Sequence, residues 1–89
     1  MSEIGRAAMS LSPDEQLFLK KAFRWWSTRR PVLAEIAADG DAAVAAHLVS
    51  ALSGKGLGQP WKCPRGRLHF DFTQLGIDVA NHLTPKGAA

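Results

Sequence analysis

The sequence predicts one small, mostly helical α+β domain, with a single β-hairpin set between its last two helices. Three observations lead there. Apolar residues recur at helical spacing from Phe18 to Trp26 and again from Val44 to Leu52. The run Leu68-His69-Phe70-Asp71-Phe72 instead alternates apolar and polar, the period of a strand with one buried face. Pro64-Arg65-Gly66 separates that run from the segment around Trp61, which reads as a turn joining two strands.

The elements follow in order. Met1 to Leu11 has no firm period, so residues 1–11 are expected as an N-terminal tail. Ser12-Pro13-Asp14-Glu15 is a helix start: Ser12 caps, Pro13 suits the first helical position, and Glu15 completes a capping box. That helix carries Phe18, Ala22, Trp25 and Trp26 on its apolar stripe, widened by Leu19 and Phe23, and should run to about Ser27. Arg30 precedes a proline and marks a boundary. Pro31 then opens a short helix with Leu33, Ile36 and Ala37 on one face. Asp39-Gly40-Asp41 turns the chain, and Asp41 caps a helix from Ala42 to about Ser53 whose inward face is Val44, Ala45, Leu48, Val49 and Leu52. Gly54 is its natural stop. Leu68, Phe70 and Phe72 should point to the core, with Arg67, His69 and Asp71 on the other face and Trp61 placed to pair across the hairpin. Thr73 caps a last helix lined by Leu75, Val79, Ala80 and Leu83. The folded unit is thus 12–83, and residues 84–89 are a C-terminal tail.

Composition narrows the function classes. The net charge of +3 tilts the chain towards an acidic partner. Lys20, Lys21, Arg24, Arg29 and Arg30 form one basic group, and Lys55, Lys62, Arg65 and Arg67 another. Between Pro31 and Gly54 there is no Lys or Arg, only Glu35, Asp39 and Asp41. Cys63 is the one cysteine, so no internal disulfide forms and a reducing cytoplasm is the expected home. No apolar run reaches the roughly 20 residues that span a bilayer, so no membrane role is expected. His47, His69 and His82 lie on different elements, and no nucleophile elbow, phosphate loop or metal-ligand spacing is present. We therefore expect no enzyme activity, no cofactor and no metal.

Two helices joined by so short a turn make a helix-turn-helix unit, and a hairpin and helix follow it. That order, with Lys55-Gly56-Leu57 leaving the second helix and Phe72-Thr73-Gln74-Leu75-Gly76 entering the last, resembles the winged helix-turn-helix family. The second segment is similar to the family's LTxxG entry, with Phe72 where Leu is usual. The resemblance covers about Ser12 to Leu83. It implies three helices, a β-hairpin wing and a C-terminal helix, and it implies DNA binding through the second helix and the wing.

On that reading the nucleic-acid-binding candidates are Arg29, Arg30, His47, Ser50, Lys55, Lys62, Arg65 and Arg67. Arg on a wing supplies charge and forked donors for phosphates. The helix from Ala42 to Ser53 departs from the pattern. Bases are read most often by Arg, Lys, Asn or Gln, whereas its outward residues are mostly Ala with His47 and Ser50, and its approach carries Asp39 and Asp41. Binding to double-stranded DNA would then run mainly through phosphates, as in a small transcriptional regulator. The alternative is a protein-interaction module acting on a protein complex, such as a phage-encoded inhibitor of a host defence (anti-CRISPR-like) or transcription complex. For that role Trp25 and Trp26 are the candidates. Neighbours on a helix point about 100 degrees apart, so a narrow core stripe does not take both. The outer one could also hold a homodimer together through the first helix.

Overall fold

The computed structural model describes residues 3–26 and 31–84. It is a mostly helical α+β fold with five helices and a small antiparallel sheet, in the order α1 (Glu3–Met9), α2 (Pro13–Trp26), β1 (Val32–Leu33), α3 (Ala34–Ala37), α4 (Ala42–Gly54), β2 (Gly58–Lys62), β3 (Leu68–Phe72) and α5 (Gln74–Leu83). The three strands lie in the order β1-β3-β2. This order is compatible with a winged helix.

The stretch expected as a tail is helical from Glu3 to Met9, and Ala8 and Leu11 are buried. Ile4, Ala7, Ala8 and Leu11 share one face at helical spacing, and that face packs near α5. Two of the four are Ala, so the stripe carries little hydropathy and is easily missed. The capping box at the start of α2 forms as expected. The Ser12 N–H donates to Glu15 Oε1 at 2.8 Å, and the Glu15 N–H donates to Ser12 Oγ at 3.2 Å.

Pro31 leads into a strand rather than a helix. Val32 and Leu33 pair with β3 in the register Val32 to Phe70 and Leu33 to His69. The helix expected there shrinks to α3, a single turn that buries Ala34 and Ala37 and leaves Ile36 45% exposed. Pairing across some forty residues of chain leaves no local signature in the sequence.

Asp41 caps α4 as expected, its carboxylate accepting from the Val44 N–H at 3.0 Å. Ala45, Leu48, Val49 and Leu52 face the core, but Val44 does not and is 44% exposed. The helix ends at Gly54, but the left-handed glycine of its cap lies two residues further on. Gly54 is still helical, and Gly56, at φ 79°, takes the left-handed position. The Gly56 N–H donates to the Ser53 carbonyl and the Leu57 N–H to the Leu52 carbonyl, which is the Schellman arrangement.

Thr73 closes the other side of this junction. Its N–H donates to the Leu57 carbonyl at 3.2 Å, its hydroxyl donates to the Gly56 carbonyl at 2.7 Å, and the same oxygen accepts from the Gly76 N–H at 3.1 Å. The first turn of α5 therefore lies on the backbone of Leu57. The core above it is aromatic. Phe18 meets Phe70 edge-on at 5.7 Å, Phe70 meets Phe72 at 5.0 Å, and Phe72 touches both Phe23 and Trp26. A small domain gains much of its buried area from such rings.

Two stability outcomes follow. Phe70 is fully buried, so Phe70→Ala should cost roughly 3–5 kcal/mol in urea unfolding. At Gly76 a Cβ would collide with the Leu57 carbonyl oxygen. Ala in a helix interior is normally worth about 1 kcal/mol over Gly, yet Gly76→Ala should lower the urea midpoint, with an overpacking loss of roughly 1–3 kcal/mol.

Candidate nucleic-acid interface

The hairpin of β2 and β3 is in continuous register from Gly58 opposite Phe72 to Lys62 opposite Leu68. A three-residue loop, Pro64-Arg65-Gly66, closes it. The Gly66 N–H donates to the Cys63 carbonyl at 2.8 Å, and the Cys63 N–H donates to the Arg67 carbonyl at 3.1 Å. Pro64 suits the first corner of such a turn and puts Arg65 at the apex. Arg65 and Lys62 are both exposed, and among the described residues neither is in an ion pair.

Arg67 is exposed at the start of the returning strand, with one guanidinium nitrogen 3.4 Å from Glu35 Oε2. This pair ties the hairpin to α3. Both groups reach water, so its contribution to stability is small.

His47 and Ser50 are exposed on the outer side of α4, beside Ala42, Ala43, Val44 and Ala46. That surface is uncharged. At its entrance Asp39 pairs with Lys21 at 2.7 Å, while Asp41 is occupied by the α4 backbone. The repulsion expected from two bare carboxylates is therefore partly relieved within the fold. Asp39 has φ 55°, a left-handed conformation that Asp tolerates better than most residues.

Lys55 makes contacts within the fold that its sequence position does not imply. Its ammonium donates to Glu15 Oε1 and to the Ser10 carbonyl, each at 2.9 Å. It joins the end of α4 to the start of α2 through contacts within the chain while remaining at the surface. Glu15 itself is buried. Burial alone would raise its pKa, but the Ser12 N–H, the Lys55 ammonium and the Ser12 hydroxyl together hold it below its ordinary value. No sequence rule pairs Glu15 with Lys55, because they are forty residues apart.

Arg29 and Arg30 lie outside the described residues. Trp26 is half-buried, stacked on Phe23 and set against Phe72, whereas Trp25 is 55% exposed. Among the described residues no cluster of His, Cys, Asp or Glu is arranged to hold a metal ion, and no buried side-chain polar atom lacks a partner. No described helix is long and apolar enough to cross a membrane. No protein-family model, curated protein or solved structure matches the chain.

Glu15 makes acid sensitivity predictable. A carboxylate with a depressed folded pKa stabilises fully above the ordinary glutamate value near 4.5, and that contribution is lost as pH falls through the lowered value. Urea midpoints measured from pH 7 down to pH 3 should therefore fall for the wild type. Glu15→Gln should be less stable at pH 7 and should lose less of its remaining stability across the acid range.

Proposed function

We propose that this chain is a small winged-helix module that binds double-stranded DNA mainly through backbone phosphates, as a transcriptional regulator would. One observation carries the reading: Lys62 and Arg65 stand exposed at the tip of the hairpin, with no described acid paired to either. Lysine supplies a point charge and arginine a forked donor set, both suited to phosphate oxygens. The helix-then-hairpin order gives the analogy its geometry. Because α4 exposes only His47 and Ser50 as polar candidates beside small apolar residues, contacts to phosphates outweigh contacts to bases.

A second reading has its own support. The outer face of α4 is uncharged and Trp25 is half-exposed, both of which suit a protein surface better than a phosphate backbone. On that reading the module acts on a protein complex, such as a host defence or transcription assembly, or pairs with itself through α2.

A salt titration on a duplex separates the two. Lys62 and Arg65 alone give a log–log slope of about −1.8, and adding Arg29 and Arg30 gives about −3.6. The expected wild-type slope lies between these limits. Arg65→Ala should make it shallower by about 0.9 and weaken random and specific duplexes alike. Absence of duplex binding at low salt would overturn the DNA reading and leave α4 and Trp25 as the working surfaces.

A further inference from the structure

The outer face of the sheet holds an aromatic row that the core does not use. Phe70 and Phe72 are buried, so alternation sends His69 and Asp71 to the opposite face. Trp61 on β2 and Leu33 on β1 are both opposite His69 in register. Side chains of directly paired residues share a face, so Leu33, His69 and Trp61 form a row across all three strands. Trp61 and His69 touch with ring centroids 5.0 Å apart at 70°, and the Trp61 side chain remains 46% exposed. The His69 ring is oriented by its Nδ1, 3.1 Å from the Arg67 carbonyl.

Charge is graded along this face. The hairpin apex beyond Trp61 carries the exposed Arg65, and Arg67, two residues before His69, lies beside Glu35, whereas Lys62 is opposite Leu68 and so belongs to the other face. The far end, at the hairpin base, pairs Gln59 with Asp71. A ring pair with Trp61 exposed and His69 partly so, next to an exposed cation at the apex and with the Gln59 amide beyond it, matches what an unpaired nucleotide offers: a flat π-face, a phosphate and a polar edge. A duplex offers no open π-face along its length.

We propose that the outer face of the sheet is a stacking platform for unpaired bases, with Trp61 and His69 receiving the bases and Arg65 at the hairpin apex the flanking phosphate. This rests on the reading of the chain as nucleic-acid-binding and extends it from duplex to single strand. Base stacking on aromatic side chains is tolerant of sequence, which accords with the lack of base-reading groups on α4. Ribose and deoxyribose share this chemistry, so either DNA or RNA single strands would fit.

The test uses the full chain with ten-residue oligothymidylate, ten-residue oligouridylate and a mixed-sequence duplex, all at low salt. Both single strands, or one of them, should bind and quench tryptophan fluorescence, and Trp61→Phe should bind while showing less quenching. Trp61→Ala should weaken single-strand binding by roughly five- to a hundredfold, the range for one stacked base, and change duplex affinity less than twofold. Arg65→Ala should weaken single strand and duplex together. Unfolding midpoints of the Trp61 variants establish that each is folded. Duplex binding with no single-strand binding, or single-strand binding that Trp61→Ala leaves unchanged, would overturn the platform while the phosphate reading survives. Binding of neither would overturn both, and a protein seated on Trp61 would then be the reading to pursue.

Discussion

The structure turns on one backbone unit, Leu57. Its N–H closes α4 by donating to Leu52, its carbonyl accepts from Thr73, and its side chain is fully buried. Gly76 lies directly against that carbonyl. The end of α4, the start of β2 and the first turn of α5 are thereby held at one point. Side-chain packing alone would tolerate some sliding there. A close backbone contact with hydrogen bonds on both sides does not, because a shift leaves buried polar groups unpaired. The hairpin is rooted at this junction, so the direction in which its tip projects follows from it.

The second organising theme is how the fold uses its charges. Lys55 is drawn into the capping box at the start of α2, Lys21 meets Asp39 at the turn before α4, and Arg67 lies near Glu35. Three cations and three carboxylates that a sequence reader would count as surface charge are thus partly spent internally. What remains exposed and without an ion pair on the described hairpin is Lys62 and Arg65. A modest net charge therefore understates how local the positive surface is. Electrostatic attraction to a polyanion depends on such clustering more than on the total.

The hairpin also divides its two faces between different tasks. Phe70 and Phe72 complete an aromatic core with Phe18, Phe23 and Trp26, while Trp61 and His69 face outward. A strand buried on one face alone has the other available for binding. Here the edge strand β1 widens that outer face and adds Leu33 to it.

The local features were legible from the sequence because their physics is local. The capping box at Ser12 and Glu15, the caps at Asp41 and Thr73, the alternation from Leu68 to Phe72 and the turn at Arg65 each depend on residues within about five positions. Of the candidate site, the exposure of Lys62 and Arg65 was legible in the same way, since a hairpin tip faces water. Three things were decided only by tertiary structure. The strand at Val32 and Leu33 exists because β3 offers it a partner, not because two residues prefer to be extended. Lys55 is an intramolecular clamp because folding brings Glu15 beside it. The first helix was obscured by its alanines, whose burial means little until α5 is there to cover them. Caps, turns and periods are set by neighbours in the chain, whereas strand pairing, ion pairing and the burial of small residues wait for neighbours in space.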